Sequence, residues 1–582
     1  MATRKNMNNP LPYLKPRVLF QAVFAGYFLL AMHYFSPNMG GYGLYLPFNV
    51  IGWMFIATLI GLGFWQISRT GNIEMSKMQI LCWIGFLFFL LPLLYSINEI
   101  SYRTTSRIMF LLGGLGFYST LVQFRFKLSE RFTLLYIILG AIAMQSILGV
   151  VQYYGLGSDN YFLLMKKTRP YGSFQQNNVM TTFMATGVGL SLYMIGKDPE
   201  ILRQKWKQYL SLLMPLTGSL IIVVVKSKAG FLGLLVVLLL MLPSFNVKEK
   251  LYQRWFMMLV VGLITGWLSP TVYQIVQPKG SLYAREFADQ IQSTKSRAEV
   301  YEISFDIWRD NPVTGVGYGK FPRVFREYIA SRRAKATGDD YTMEEYWDHP
   351  HNETLLWLSE GGIAPFLGLL IFAGAYLIML FRVHWQEALP FMGLIMPILL
   401  HTQFEYPFDH SLAHWITFLT LVYLPDIQDN MRYQYGLHKV MIIPALVIPL
   451  MVFDYMGTTL KNSSILTRFQ GTGSNDYGLL LQVKEPGALH LKYDNSVLKA
   501  VMYSAMMTKD KAALELFLEK GEEYLRHSPK KHVYRAMEIV LKNMGRDEEA
   551  KIVVKRARHM NPDTWEYPEY QISHSDTTGS LP

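Results

Sequence analysis

The sequence is poor in cysteine and in charged residues. A single cysteine, Cys82, occurs among 582 residues, and it lies within an apolar run. One cysteine forms no disulfide within the chain and excludes a cysteine-ligated metal site. Only 17% of the residues are charged and 51% are hydrophobic, which excludes an ordinary soluble protein of this length. The composition predicts a membrane protein, and the 14% aromatic content is typical of membrane interfaces.

The net charge of +12 raises the question of nucleic-acid binding. The lysines and arginines stand mainly at the ends of apolar runs, which is the pattern that sets the orientation of a membrane protein. We therefore predict no nucleic-acid partner. The basic N-terminus precedes a long apolar run without a small-x-small cleavage site, so we predict a retained first span rather than a signal peptide.

A bilayer is crossed by about 20 mostly apolar residues. By that rule the chain is predicted to be an all-α polytopic membrane protein with about thirteen transmembrane helices. The predicted spans are 17–35, 47–66, 78–97, 107–124, 132–155, 178–196, 209–225, 229–246, 255–273, 361–381, 388–402, 411–426 and 439–457.

Loop charge predicts the orientation of these spans. With the N-terminus in the cytoplasm, the inside loops are rich in Lys and Arg, whereas the outside loops 36–46 and 403–410 contain neither. Three outside segments keep positive charge, namely 166–169, 226–228 and the long loop 274–360. Binding of an anion is one reason to keep it there.

Two domains are predicted. Residues 1–457 form the membrane domain, which includes the large outside loop 274–360, and residues 458–582 form a soluble helical domain on the outside. Residues 458–490 are rich in Gly, Ser and Thr and predict a linker or irregular segment, followed by helices near 494–506, 510–526, 530–544 and 547–559. The stretch 532–562 looks like one tetratricopeptide-type hairpin or part of a plain helical bundle. Either predicts contact with a protein or peptide.

Two polar segments border predicted spans on the outside. The first runs from Arg169 through Gln175 to Asn177 and Asn178, and its four consecutive amides suit sugar hydroxyls and phosphate oxygens. Capping of a helix by Asn is the alternative. The second contains Lys226 and Lys228, which predict either a diphosphate clamp or lysines that snorkel to the interface.

A third segment begins at Arg297, a candidate bidentate phosphate ligand, and leads by a helix to a Gly-rich run at 315–319. No strand precedes that run and its spacing fits neither phosphate fingerprint, so we interpret it as a turn. A fifth segment, 403–410, contains Glu405 and Tyr406, and is either functional or only part of an aromatic belt. Glu405 has no cation near it in the sequence.

The fourth segment, 348–353, reads Asp-His-Pro-His-Asn-Glu. Histidine has the side-chain pKa closest to neutrality, so His349 and His351 are candidates for proton transfer. Two alternatives stand beside a general base. His349, His351 and Glu353 supply ligand types that suit zinc, and Asn352 or Asp348 suits the start of a helix over 354–360.

Over most of the membrane region, and most specifically from Arg297 to Gly362, the chain resembles the O-antigen ligase superfamily, and within it the bacterial protein O-oligosaccharyltransferases of the PglL type. The family's His-x-His-Asn signature falls on residues 349–352, its Gln before an Asn pair on Gln175, and its Glu-Tyr-Pro on residues 405–407. Its Ser-Arg turn appears as Ser227-Lys228, which keeps the charge without the guanidinium fork.

The resemblance implies transfer of a preassembled oligosaccharide from undecaprenyl diphosphate to Ser or Thr hydroxyls of a periplasmic protein such as a pilin. It implies an inner-membrane enzyme whose site and C-terminus face the periplasm, with no cofactor and no metal. The implied catalytic residues are His351, Arg297, Gln175 and Tyr406. The implied substrate-binding residues are Lys228, Lys226, Arg169, Asn177, His349, Asn352 and Glu405.

Two other functions stay open. An O-antigen ligase or polymerase of the same superfamily would transfer the glycan to lipid A-core or to another glycan. A lipid or glycan transporter also suits thirteen spans, but its polar groups belong near the middle of the membrane. The polar segments here gather at one predicted face.

Overall fold

Long apolar runs bounded by Pro, Gly and charged residues fold as α-helices. A computed structural model describes residues 15–95, 102–154, 169–245, 249–276, 283–335, 347–426, 431–473, 476–508 and 510–560. Within them the helices are α1 (Pro16–Leu29), α2 (Pro47–Thr70), α3 (Lys77–Tyr95), α4 (Tyr102–Phe124), α5 (Leu128–Tyr154), α6 (Asn177–Lys197), α7 (Lys205–Val225), α8 (Lys228–Met241), α9 (Lys250–Val276), α10 (Tyr283–Asp310), α11 (Phe321–Lys335), α12 (Glu353–Gly361), α13 (Ile363–Leu380), α14 (Trp385–His401), α15 (Pro407–His410), α16 (Leu412–Tyr423), α17 (Ile442–Gly471), α18 (His490–Thr508), α19 (Lys511–His527), α20 (Lys531–Asn543) and α21 (Asp547–Met560).

The helices support an all-α polytopic membrane protein. In the described residues, nine helices are long and apolar enough to cross a membrane, and each overlaps a predicted span. The eighth and twelfth predicted spans coincide with the shorter apolar helices α8 and α16. The first and eleventh coincide with α1, which has 14 residues, and α14, which has 17. The total of thirteen therefore stays a prediction.

A two-stranded antiparallel sheet marks one end of the helical bundle. Strand β1 (Asn72–Met75) follows α2, and strand β2 (Met431–Gln434) precedes α17. Glu74 in β1 accepts hydrogen bonds from Arg432 Nε at 2.7 Å and from Arg125 Nη1 at 3.3 Å. Three connections predicted to lie inside thus meet at one end, which we call the strand end. The segments 169–178, 226–228 and 403–410 lie at the other termini of their helices, which we call the site end.

A turn without regular secondary structure packs against the end of helix α12 and holds that helix in place. After α10 ends at Asp310, the backbone N–H groups of Val316 and Gly317 donate to the carbonyls of Ser359 and Glu360 at 2.9 and 2.8 Å. The approach is so close that a Cβ on Gly315 would lie 2.5 Å from the Glu360 backbone. The Gly-rich run is therefore a turn, as predicted, and it fixes the helix that follows the histidine segment.

The predicted linker at 458–490 is wrong over its first part. Helix α17 continues without a break to Gly471, because Ile465, Leu466 and Phe469 pack in a buried cluster with the turns at 477–489. Asn462 adds a hydrogen bond from Nδ2 to the Glu485 carbonyl at 2.6 Å. Tertiary packing overrides the weak helix propensity of Thr, Ser and Asn. The membrane helix and the tail thus share one continuous element across the predicted boundary at 457.

Four helices follow, α18 to α21, at the positions predicted for them. Helices α20 and α21 form a hairpin around Gly545, whose φ of 70° suits the end of a helix. The four helices bury a common apolar cluster, and α19 and α21 contact α11. The tail is thereby joined to the segment predicted to be the large outside loop; its tetratricopeptide character stays a prediction.

The close backbone packing at the end of α12 gives a stability prediction. Gly362 has φ +70°, and a Cβ there would lie 2.2 Å from the Val313 carbonyl oxygen. We expect Gly362→Ala to lower the free energy of unfolding by at least about 2 kcal/mol through backbone strain and the clash. Gly374→Ala is the matched control, because its Cβ would meet nothing within 4 Å. The melting temperatures of the two variants are compared by thermal unfolding in detergent. Equal melting temperatures would contradict the close backbone packing at Gly362.

Candidate active site

Glu405 lies at the centre of the site end. Its buried carboxylate accepts hydrogen bonds from Asn178 Nδ2 at 2.6 Å, Arg297 Nη2 at 3.1 Å and Gln176 Nε2 at 3.2 Å. His401 Nε2, one turn earlier in the chain, lies 3.4 Å from Oε2. One carboxylate therefore joins the amide segment, the Arg297 helix and the 403–410 turn.

These partners keep Glu405 ionised. Burial alone would raise the pKa of Glu405, but the hydrogen bond from His401 and the positive charges of His401 and Arg297 lower it to about 2. A buried carboxylate is tolerated only when it is paired and hydrogen-bonded. Removal of any one donor would therefore weaken the whole arrangement.

The lysine segment joins this cluster through Ser227. Its Oγ donates to Asn178 Oδ1 at 2.8 Å and accepts from the Gly230 N–H at 3.2 Å, so it also caps α8. Lys226 and Lys228 flank this buried serine, and both are exposed. Two lysines thus lie at the rim of the cluster.

Asn352 starts helix α12, as the capping interpretation predicted. Its Oδ1 accepts from the Leu355 N–H at 2.9 Å, and its Nδ2 donates to the Gln403 carbonyl at 3.2 Å. Tyr301, one turn after Arg297, donates to the same Gln403 carbonyl at 2.9 Å and to the His351 carbonyl at 3.2 Å. The histidine segment is therefore fastened to both α10 and the 403–410 turn.

The two histidines differ in their surroundings. The His349 Nδ1 accepts the His351 backbone N–H at 3.4 Å, and its Nε2 lies 3.6 Å from Asp348 Oδ1, whose carboxylate accepts from Tyr42 at 3.0 Å. The His349 ring also packs against the His351 and Tyr406 rings, both at 4.3 Å. His351 Nδ1 has no hydrogen-bond partner among the described residues. His351 is therefore the histidine whose ring remains available for a ligand.

His351 is neutral near pH 7. Burial, followed by the positive charges of His349 and Arg297, outweighs the negative charge of Glu405 and lowers the pKa of His351 to about 3. A neutral imidazole is able to accept a proton, which is the state that a general base needs. An anion bound beside it would raise this pKa and strengthen the base.

Backbone strain concentrates in the same place. Among described residues, four other than Gly have positive φ, and three of them are Gln175 at 60°, Lys226 at 57° and His351 at 50°. Such conformations persist where the surroundings enforce them, and they cluster at functional sites. At the amide segment, Gln152 and Gln145 of α5 supply the restraint, accepting from backbone N–H groups at 171–173.

Three buried nitrogens of the site have no hydrogen-bond partner within the part of the chain that the structure describes. They are Arg297 Nε, His351 Nδ1 and Trp347 Nε1, and the Trp347 and His351 ring centres are 4.7 Å apart. A buried polar atom without a hydrogen bond costs about 1–3 kcal/mol, so each calls for a reason. Three in one cluster indicate a site that is completed by a ligand.

Two cavities adjoin near His349, which lines the first of them. The first, of about 410 Å³, has a polar end with His349, Glu353 and Tyr406, and its remainder is lined by apolar side chains of α3, α4, α13, α14 and α16. The second, of about 980 Å³, lies between α2, α4 and α17. Both include Arg107 and Asp409. An apolar chain therefore has room next to the polar cluster.

Some of the expected site residues lie at its margin. Asn177 opens α6, but the side chain of Gln176 accepts its backbone N–H at 3.1 Å, so Gln176 and not an asparagine takes the capping position. Gln175 makes no side-chain hydrogen bond to a described residue. Arg169 is half-buried at the start of the amide segment. Lys166 and Lys167 lie outside the described residues.

Two family models match the chain. The one described as O-Antigen ligase matches residues 213–373, and the one described as Virulence factor membrane-bound polymerase, C-terminal, matches residues 390–571. The chain belongs to the O-antigen ligase superfamily. No curated protein matches it in a sequence search. The match supports glycan transfer by a ligase-like membrane enzyme.

The matched regions of the superfamily contain most of the cluster. The first includes Arg297, the lysine turn and the histidine segment, and the second includes Glu405 and Tyr406. Residues 169–178 lie outside both, and here the hydrogen bonds to Glu405 connect them to the site. Tyr406 is buried, and its hydroxyl donates to the Asn352 carbonyl at 3.5 Å.

Sequence reasoning missed several residues of this superfamily member's site. Asn178 and Gln176 belong to the predicted run of four amides, but their hydrogen bonds to Glu405 were not predicted, and only Gln175 and Asn177 were named as site residues. His401 was hidden at the end of an apolar span, and its spacing of four residues from Glu405 was the available signal. Tyr301 has the same spacing from Arg297. Nothing in the sequence pointed to Arg107, whose cavity position depends on tertiary packing.

The charge of Glu405 gives a stability prediction. We expect Glu405→Gln to lower the unfolding free energy at pH 7 by up to about 3 kcal/mol, since Arg297 loses its counter-charge. A carboxylate with a lowered pKa stabilises above its ordinary pKa of about 4.3 and loses that effect as the pH falls through about 2. The difference in unfolding free energy between wild type and Glu405→Gln should therefore shrink as the pH falls from about 4.3 to about 2.

Thermal unfolding at several pH values measures this difference. Glu299→Gln, two residues from Arg297 on α10, is the matched control and should remain close to wild type. A Glu405→Gln protein as stable as wild type at pH 7 would contradict the central role of this carboxylate.

Proposed function

We propose that the protein is a protein O-oligosaccharyltransferase. It transfers a preassembled oligosaccharide from undecaprenyl diphosphate to Ser or Thr hydroxyls of periplasmic proteins such as a pilin. The observation that carries this proposal is the neutral His351 ring, which is influenced by the charge of Arg297 and lies 4.3 Å from the ring of His349, a residue that lines a largely apolar cavity. A base, a cation and room for a lipid chain are what this reaction requires.

The chemistry is a single displacement. His351 takes the proton of the acceptor hydroxyl while its oxygen bonds to the anomeric carbon of the sugar. The bond from that carbon to the diphosphate oxygen breaks, and the diphosphate leaves with the electron pair. Arg297 stabilises its developing charge, with Lys228, Lys226 and Arg169 contributing from the rim. Attack opposite the leaving group inverts the anomeric centre.

The remaining residues position these groups. Glu405 orients Arg297 by their 3.1 Å contact, and Asn352 fixes the turn that presents His351. His349 packs between the His351 and Tyr406 rings. The amides of Gln175 and Asn177 contact the sugar or phosphate oxygens. Binding of the diphosphate would also raise the pKa of His351, so the base gains strength only when the donor is present.

The position of the tail supports a protein acceptor. Lys492 on α18 donates to the carbonyls of Met39 and Gly40, and its ammonium lies 4.3 Å from the Tyr45 ring centre. The same loop contributes Tyr42, which donates to Asp348 beside His349. The tail helices thus reach the histidine segment through one short loop, which supports a role for them in holding a folded acceptor.

An O-antigen ligase or polymerase is the second candidate. The observation that favours it is the family model described as a membrane-bound polymerase, whose match at residues 390–571 includes the tail itself. The same chemistry would serve it, with a sugar hydroxyl of lipid A-core or of another glycan as the acceptor.

Reconstituted transfer tests both candidates. Purified protein is supplied with a polyprenyl-diphosphate oligosaccharide and, in separate arms, a pilin, lipid A-core or further glycan donor. We expect glycan on the pilin, and a loss of about 100- to 10,000-fold for His351→Ala at equal folded protein. His559→Ala, exposed on α21, is the control and should match wild type. Transfer to lipid A-core alone, or elongation of the glycan alone, would replace the proposal by the second candidate.

Metal dependence is tested in the same assay. We expect full transfer in EDTA, because protein side chains supply the proposed base and all of the proposed positive charges. Loss of transfer in EDTA with recovery on adding zinc would favour the metal interpretation of the histidine segment over the general base.

Orientation is tested by labelling single cysteines in a Cys82→Ser background. We expect Lys228→Cys at the site end to react in intact spheroplasts with a membrane-impermeant maleimide, and Gln434→Cys at the strand end to react only after the membrane is opened. The reverse result would place the site in the cytoplasm and contradict a periplasmic acceptor.

A further inference from the structure

The polar end of the smaller cavity is acidic. Glu353 and Asp409 line it together with Arg107, and we call these three residues the acidic mouth. Arg107 is also paired with the buried carboxylate of Glu360. Carboxyl groups therefore outnumber the guanidinium here. The proposed function assigns no role to any of these four residues.

Glu353 is fixed in the mouth by its own helix. It is the first residue of α12, and its backbone N–H donates to the Thr402 carbonyl at 2.9 Å. Its carboxyl group hydrogen-bonds with the Trp357 side chain one turn later. The residue is half-buried and shares the cavity lining with His349 and Tyr406. Its side chain is thus held beside the histidine pair.

The two histidines separate charges of opposite kind. His351 faces Arg297 and Glu405, with the lysine turn joined to that cluster, whereas His349 lines the cavity of the acidic mouth. The rings are 4.3 Å apart. The negative charges of Asp409 and Glu360 outnumber the positive charge of Arg107, so a diphosphate is disfavoured at the mouth and attracted to the Arg297 side. The acidic mouth is therefore better suited to an uncharged group than to the diphosphate.

The protonation state of the Glu353 carboxyl group suits an uncharged ligand. Burial, together with the negative charge of Asp409, outweighs the positive charge of Arg107 and raises the pKa of Glu353 to about 8. The carboxyl group is therefore protonated at neutral pH and is able to donate a hydrogen bond. Its charged or titratable neighbours are Arg107, Asp409, Tyr406 and His349. The pKa of Tyr406 is raised well above 10, so Tyr406 does not ionise in the same range.

We propose, on the basis of the proposed function, that Glu353 binds the acceptor by donating a hydrogen bond from its carboxyl group to an oxygen beside the reacting hydroxyl. The ligand is an uncharged hydroxyl or peptide carbonyl oxygen. In a single displacement the acceptor approaches opposite the leaving diphosphate. The cavity of the mouth is lined by His349 and not by Arg297 or His351, so an acceptor held there approaches from beside His349 and not through the Arg297 cluster.

Acceptor kinetics across pH 6 to 9.5 test the proposal in the full-length protein with saturating donor. For wild type we expect kcat/KM for a pilin to fall about tenfold per pH unit above about 8, as Glu353 ionises. Glu353→Gln keeps a neutral donor and should lack this decline. Asp409→Asn removes the charge that raises this pKa, so its decline should begin at a lower pH.

A second comparison separates binding from folding. At pH 7, Glu353→Ala should raise the acceptor KM about 3- to 10-fold and leave the donor KM unchanged. If the alanine variant unfolds, Glu353→Gln is used for the test instead, after its melting temperature has been shown to equal that of wild type. The same decline above pH 8 in wild type and Glu353→Gln would overturn the proposal, as would a raised donor KM. A wild type that glycosylates no protein would instead overturn the proposed function.

Discussion

The site depends on one buried carboxylate. Glu405 holds Arg297, Asn178 and Gln176 within hydrogen-bond distance, and Asn178 in turn accepts from Ser227 at the lysine turn. These groups come from three separate parts of the chain, and the Arg297 contact alone spans 108 residues. A charge buried among apolar helices is stable only with such partners, so the need to satisfy Glu405 also assembles the surrounding residues.

The histidine segment is positioned by close backbone packing. Gly315 and Gly362 let the turn after α10 approach the end of α12 more closely than any side chain allows. Asn352 caps the other end of the same short helix. His351 then takes a left-handed conformation between Pro350 and the cap, which directs its ring to the Arg297 cluster. Rigid elements on both sides of the strained residue keep the ring in place.

Much of the site was predictable because its residue types are unusual where they occur. Positive charge on the predicted outside, four amides at a predicted membrane boundary and a histidine pair marked segments of the site, and the structure brings all five segments together. Their pairing was not predictable, since nothing near Glu405 in the sequence showed that Arg297 neutralises it. Helix boundaries in the tail followed periodicity well. The predicted linker was wrong because packing of Ile465 and Phe469, not composition, decides the end of α17.

The charges around the histidine pair define two sides of the proposed reaction. The donor diphosphate belongs with Arg297, and the acceptor belongs with the acidic mouth. The most direct test is a cryo-EM structure with an unreactive polyprenyl-diphosphate oligosaccharide. The account predicts the diphosphate within hydrogen-bond distance of the Arg297 guanidinium, with His351 facing the anomeric carbon. A diphosphate bound at the acidic mouth, or at the strand end of the bundle, would contradict it.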